Sequence, residues 1–292
     1  MKTIKYYIHK YIKKNSEEVI SGIRTKSILE SFMFLSEKVK KHERLFFVRF
    51  GDGEFVTMMK QNHRNYVYNE NLEKEIEASF RIKNEEYLIS CPINYPYDEF
   101  HAKGIYKNFS WQQEMIDVME DKELPKDTVF ENPCIFQCLA VFKPKLLKVF
   151  LDENIRGKTK MFIGSTDKET AEKLYGDIKY YVNIPVKNAY ETIDDWWPAI
   201  KKNASNVDLI IPSAGSTSNV IALRLWNMNI SCKVIDFGSI VDAVEYKVSR
   251  TWIRLQGHKV RKLLVDKDKI NMSKKILFLA KDVKFYFRNQ II

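Results

Sequence analysis

The sequence predicts an α/β protein: a mostly parallel sheet with helices on both faces, plus helical N- and C-terminal extensions. Three observations point there. Short apolar runs alternate with amphipathic stretches from residue 160 to 237, the pattern of crossover units feeding a parallel sheet. The run Leu45-Phe46-Phe47-Val48 is apolar throughout, as a strand covered on both faces is. The chain has 292 residues, 45% of them hydrophobic, enough for one large domain with appendages.

Taken in order, residues 16–42 read as a long amphipathic helix, with Val19, Ile20, Ile23, Ile28, Phe32, Leu35 and Val39 near helical spacing. Leu45–Phe50 is the first clear strand. Helices follow over 54–61 and 72–82, then a short strand, Tyr87–Ser90. Residues 91–110 are rich in Pro, Tyr, Asn and Asp and read as a surface loop. Helices are expected at Trp111–Glu120 and Pro144–Asp152. The regular part then runs strand Lys160–Gly164, helix 167–175, strand Tyr180–Ile184, helix 189–203, strand Val207–Pro212, helix 216–229 and strand Lys233–Phe237. This divides the chain into an N-terminal helical extension (1–42), a central domain (43–258) and a basic amphipathic tail (259–292).

The net charge of +10 is unevenly spread. Residues 1–14 hold +5 and residues 259–292 hold +7, leaving −2 for the body between them. A nucleic-acid binder basic over its whole surface would not look like this; basic ends on a near-neutral body suit an anionic surface. In the tail, Ile276, Leu279, Ala280, Val283 and Phe287 share one face of a helical wheel, and Lys274, Lys281, Lys284 and Arg288 the other. That is the pattern of a basic helix lying in an anionic membrane interface, and equally of a helix docked on the body or a partner. No run approaches the ~20 apolar residues of a membrane span, and there is no signal-peptide core. Cys134 and Cys138 lack a second Cys or His pair at zinc spacing, so the four cysteines read as reduced core thiols.

In α/β sheets of this kind, ligands sit beyond the carboxyl ends of the strands, and four polar turns fall there. The first is Arg49-Phe50-Gly51-Asp52-Gly53-Glu54. Two carboxylates two residues apart give hard oxygen donors for Mg²⁺ or Mn²⁺, while Gly51, Gly53 and Arg49 offer bare backbone and a guanidinium to an anion. The same residues also suit a plain helix start, with Asp52 as N-cap and Glu54 in the first turn. The second is Pro212-Ser213-Ala214-Gly215-Ser216-Thr217, a hydroxyl-rich turn whose N–H groups open a helix and favour phosphate, or simply cap it. The third is Pro185-Val186-Lys187-Asn188, where Lys187 and Asn188 meet phosphate, ribose or base, or else solvent and a helix end. The fourth is Asp236-Phe237-Gly238-Ser239 with Asp242 and Glu245, carboxylates suited to positioning an acceptor hydroxyl or acting as general base. His42, His63, His101 and His258 are individually weak candidates.

Arg49–Phe55, Pro185–Tyr190, the Pro212–Ser218 turn and Ile235-Asp236-Phe237-Gly238, in that order, resemble the GT-D-type glycosyltransferases over about residues 45–255. The resemblance implies a Rossmann-like fold, a nucleotide-sugar donor, often UDP-linked, and Mn²⁺ or Mg²⁺ at Asp52 and Glu54. It places Arg49, Gly51, Gly53, Lys187, Asn188, Ser213, Gly215, Ser216, Thr217 and Asp236 around the nucleotide and its phosphates. Members of the family often carry His where this chain has Ser239, so Asp242 or Glu245 is expected to take up that residue's work. The expectation is a cytoplasmic enzyme, peripheral at the inner face of the membrane, acting on a glycan, lipid-linked or protein-linked acceptor in surface polysaccharide or glycoprotein synthesis. The alternatives are a non-catalytic nucleotide-binding module and another Rossmann-like transferase such as a methyltransferase, although no glycine-rich first βα turn for adenosylmethionine is present.

Overall fold

A computed structural model describes residues 22–63, 66–96, 112–125, 128–244 and 249–264. Its centre is a six-stranded sheet in which every neighbouring pair is parallel. In chain order the strands are β2 (Leu45–Arg49), β3 (Tyr87–Ser90), β5 (Lys160–Gly164), β6 (Tyr180–Asn183), β7 (Leu209–Ser213) and β8 (Lys233–Ile235), and in space they run β3-β2-β8-β7-β5-β6. The last strand in sequence therefore lies between β2 and β7, with Phe46 opposite Val234 and Ile210 opposite Val234 on its other side. A separate two-stranded ladder pairs β1 (Arg24–Thr25) with β4 (Val129–Phe130).

Alternating strand side chains feed two cores. Phe46, Val48, Met161, Ile163, Ile210 and Val234 face one; Leu45, Phe47, Phe162, Leu209, Ile211 and Ile235 face the other. On the first face pack α2 (Asp52–Met58), α3 (Glu70–Phe80), α4 (Gln112–Asp121), α8 (Ile193–Asn203) and α9 (Thr217–Asn227). On the second pack α1 (Ile28–Lys41), α5 (Ile135–Phe142), α6 (Pro144–Leu151), α7 (Lys168–Tyr175), α10 (Thr251–Gln256) and α11 (His258–Leu264). Each fully buried Phe, Leu or Ile contributes roughly 1.5–3 kcal/mol, so a sheet apolar on both faces holds together only with both helical layers in place. The expected fold class is the observed one.

Two expectations are corrected. Residues 16–42 are not one helix: Arg24–Thr25 forms β1, and α1 starts at Ile28. Ser27 caps it, its Oγ accepting from Glu30 N–H (3.3 Å) while Glu30 Oε2 accepts from Ser27 N–H (2.9 Å), a reciprocal capping box that fixes the start. Residues 135–142 gave no expectation, and they form α5; the stretch is apolar nearly all round and too short to show a helical period. The residues 189–203, expected as one helix, split into a 3₁₀ turn, Ala189–Thr192, and α8. The four cysteines are free and buried, as expected. No helix among the described residues is long and apolar enough to cross a membrane. Residues 259–264, the start of the expected tail, belong to α11, with Val260 and Arg261 buried against the body; the amphipathic face from Ile276 to Phe287, the N-terminal lysines, His101 and Glu245 lie outside the described residues.

Candidate active site

The carboxyl ends of β2, β5, β6, β7 and β8 open into one cleft of roughly 470 Å³. All four polar turns reach it. Asp52, Glu54, Arg49, Gly51 and Gly53 enter from β2; Asn188 follows β6; Ser213, Gly215, Ser216 and Thr217 follow β7; Asp236 and Asp242 follow β8. Lys187 is exposed and is not among the residues lining the cleft. Ser165 and Thr166 join from the end of β5.

The first turn is built around Glu54. Gly51, not Asp52, is the N-cap of α2, and Asp52 and Glu54 are its first and third residues. Glu54 Oε2 accepts from Gly51 N–H at 2.6 Å, so the carboxylate folds back over the helix start and is 7% exposed. Asp52, by contrast, is exposed at the cleft. Burial pushes Glu54 above the usual carboxylate range; hydrogen bonds from Ser216 and from backbone N–H groups pull it part of the way back. Tyr66 Oη lies 2.7 Å from Ser216 Oγ, which links this turn to the one after β7.

Arg49 and Asp236 bind the ends of β2 and β8 together. Arg49 Nη1 is 3.6 Å from Asp236 Oδ1, and Arg49 Nε donates to Pro133 O at 2.8 Å. Asn219 Nδ2 donates to Arg49 O at 3.1 Å. Asp236 Oδ1 also accepts from Gly238 N–H at 2.6 Å. Burial works against the charge on Arg49, but Asp236, together with Glu54 and other neighbouring groups, more than offsets it and strengthens the protonated form. Burial likewise raises Asp236, with Arg49 and the Gly238 N–H opposing. A guanidinium and a carboxylate thus share one dry corner, where each opposes the cost of burying the other's charge.

After β7, Gly215 takes the left-handed φ of +58°, and a Cβ there would meet no heavy atom within 4 Å, so the backbone faces open space. Ala214 N–H donates to Ser218 Oγ at 3.1 Å, which sets the turn ahead of α9. The start of that eleven-residue helix lies at the cleft, where the positive end of its dipole favours phosphate, although the Ser218 and Asn219 N–H groups are already taken by Gly215 O (2.9 Å) and Ser216 O (3.2 Å). Asn188, also left-handed (φ +52°), spends its Oδ1 on Val67 N–H at 3.2 Å, tying the loop after β6 to the segment before α3. Asp242 accepts from the Ser249 hydroxyl, and Trp252 Nε1 donates to Ser239 Oγ at 3.3 Å, so Ser239 is engaged in the cleft wall.

His63, a weak candidate from the sequence, lines the cleft and stacks on Tyr66 at 4.9 Å. Other lining residues carry no sequence signal: Tyr66 itself, Gln137 from α5, and Arg250 from the segment before α10. Each is a single residue in an unpatterned stretch, placed by tertiary structure.

The donor set is compatible with a divalent cation held by few protein ligands. Among the described residues no group of three or more His, Cys, Asp or Glu forms a closed cage. Mg²⁺-like sites need none: one or two carboxylates suffice when phosphate oxygens and water complete the shell. Asp52, exposed beside Glu54 and the β7 turn, meets that requirement.

A glycosyltransferase GT-D fold family model matches residues 47–263. The chain belongs to the GT-D glycosyltransferase fold family. The match runs through all four turns and sets aside the methyltransferase and non-catalytic alternatives. A solved structure described as the conserved domain of unknown function 1792 with a distinct glycosyltransferase fold is 21% identical, with a TM-score of 0.58 over 77% of this chain and 81% of that one. Another, described as a new glycosyltransferase from Streptococcus sanguinis, is 16% identical, with a TM-score of 0.59 over 77% and 84%. At these identities the two structures speak for the fold of this GT-D chain. No curated protein matches it.

Proposed function

We propose that this GT-D enzyme moves a glycosyl group from a nucleoside-diphosphate sugar, UDP-linked, to an acceptor hydroxyl on a glycan, lipid-linked or protein-linked substrate of bacterial surface polysaccharide or glycoprotein synthesis. The observation that supports it is the single cleft at the sheet's carboxyl edge where Asp52, the Ser213–Thr217 turn and the Arg49–Asp236 pair meet. In the reaction the bond from the sugar's anomeric carbon to the diphosphate breaks and one to the acceptor oxygen forms. The Asp52–Glu54 turn would hold Mn²⁺ or Mg²⁺, which supplies charge neutralisation of the departing diphosphate. The open backbone of the Ser213–Thr217 turn and the Ser213 and Thr217 hydroxyls receive phosphate oxygens, and Arg49 adds positive charge. Asn188 orients the nucleoside. Asp242, half-buried in the cleft and positioned by Ser249, takes the acceptor proton.

Thermal shift with UDP, GDP and adenosylmethionine, each with and without Mn²⁺, tests the reading. Ligand at a hundred times its dissociation constant adds about 2.7 kcal/mol, a rise of roughly 5 °C for a chain of this size. The expected result is a Mn²⁺-dependent rise with UDP that Asp52→Asn abolishes while its ligand-free melting temperature stays near the parent's. A rise with adenosylmethionine and none with UDP would refute the proposal.

A further inference from the structure

Resting on that reading, we infer that the two carboxylates of the Asp-x-Glu turn have unequal work: Asp52 is the protein's ligand to the metal-diphosphate, and Glu54 is a positioning residue that holds the turn, itself held by a Tyr66–Ser216 hydroxyl chain. The two side chains lie in different surroundings. Asp52 is exposed in the cleft, whereas Glu54 is 7% exposed and committed to Gly51 N–H at 2.6 Å. Ser216 also hydrogen-bonds the Glu54 carboxylate. A serine has one proton to give; with that proton on Glu54, Ser216 Oγ is the acceptor from Tyr66, 2.7 Å away. The resulting order, Tyr66 to Ser216 to Glu54 to Gly51, crosses from the cleft wall through the β7 turn to the β2 turn.

Packing keeps this chain in place. A Cβ on Gly53 would fall 2.6 Å from Tyr66 Oη and 2.9 Å from Ser216 Oγ, so the turn rests directly on both hydroxyls. Glu54 Oε2 is taken by Gly51 N–H, so Glu54 could turn that oxygen to a cation in the cleft only by giving up the N–H. Nothing else among the described contacts replaces that acceptor for the start of α2, whose N-cap has no side chain. Asp52 meets the cation without any such loss. Ser216 and Tyr66 then act on the metal site only through Glu54, as supporting groups that orient a ligand-bearing turn do.

Two measurements test the division without reading turnover. The first follows Mn²⁺ binding in the presence of UDP by the loss of the free-ion paramagnetic resonance signal. Lost supporting groups cost on the order of 10- to 100-fold in metal affinity. Glu54→Ala should fall in that range. Glu54→Gln, whose amide oxygen still accepts from Gly51 N–H, should bind near the parent level. Asp52→Asn should lose more than either. Glu54→Gln losing as much as Asp52→Asn would overturn the inference and leave the metal reading standing; Asp52→Asn binding Mn²⁺ like the parent would overturn both. The second measurement uses the unaltered chain, so it survives any variant that fails to fold. Amide exchange at Gly51, followed by NMR, should stay protected when Mg²⁺ and UDP are added. Protection lost on adding them would show Glu54 swinging away to the cation, and the inference would fall.

Discussion

Gly238 shows how a single backbone position holds a charge pair together. Its φ of +63° lies in the left-handed region, and a Cβ there would stand 2.0 Å from Arg49 Nη1. Gly238→Ala therefore strains the backbone by roughly 1–3 kcal/mol and also drives the guanidinium off Asp236, a carboxylate only 8% exposed. The expected outcome is a lower urea midpoint together with loss of UDP–Mn²⁺ binding by calorimetry; a variant with parental values for both would show that Arg49 has room to move. The dipeptide of Asp236 and Phe237 before Gly238 was readable as a polar turn at a strand end. What it does was not: the pairing with Arg49 joins residues from the second and the last strand of the chain, which no local pattern encodes. The Arg49–Glu54 turn was legible because its chemistry is contiguous, whereas Tyr66, which reaches Glu54 through Ser216, stands in a stretch with no period and no motif.

Between elements, a three-residue clamp fixes one wall of the cleft. Arg224 on α9 makes a two-pronged contact with Glu75 on α3, Nε to Oε2 at 2.8 Å and Nη2 to Oε1 at 2.7 Å, and Tyr190 Oη donates to Glu75 Oε1 at 2.7 Å. Tyr190 ends the loop after β6 that carries Asn188. Glu75→Ala should loosen that loop: UDP binding weakens, and stability falls by about 1–3 kcal/mol, since partly buried donors lose a charged acceptor. A double-mutant cycle with Arg224→Ala checks it, because the two losses should fall well short of adding; full additivity would mean the pair is not coupled. The strands of the six-stranded sheet were readable to within a residue or two because each is a compact apolar run: Lys160–Gly164 and Tyr87–Ser90 are as expected, and β7 and β8 differ by one or two residues at their ends, whereas the two-residue β1 and β4 are too short to show a pattern. Helix starts were less readable. The cap at Ser27 lies inside an apolar periodicity that continues on both sides of it, and periodicity alone does not register where hydrogen bonding begins.

Across the molecule, the body is closed at its C-terminal side by α11. Lys259 Nζ donates to Val141 O at 2.8 Å, and Arg261, 1% exposed, donates from Nη1 to Ala243 O at 2.6 Å. The basic segment that follows is thereby leashed to the layer of helices formed by α5 and α6. We propose that this segment and the basic N-terminus hold the enzyme at an anionic membrane near a lipid-linked acceptor. Removing residues 270–292 should then reduce sedimentation with phosphatidylglycerol liposomes, most at low salt, and leave hydrolysis of free donor unchanged. Equal sedimentation of the shortened chain would rule the tail out as an anchor.

The placement of β8 has a consequence for how the enzyme comes into being. The strand that separates β2 from β7 is the last of the sheet to be synthesised. Until it arrives, Phe46 and Ile210 have no common neighbour in Val234, Arg49 has no Asp236, and two strand edges stand open to foreign pairing. Such distant pairings form late and slowly. A ribosome-bound chain ending before residue 233 would carry the carboxylates of Asp52 and Glu54 in a cleft without Asp236 and Asp242. The cleft, in this view, is sealed by a keystone laid after the other five strands of the sheet, and an incomplete chain is a candidate for chaperones rather than a weak enzyme.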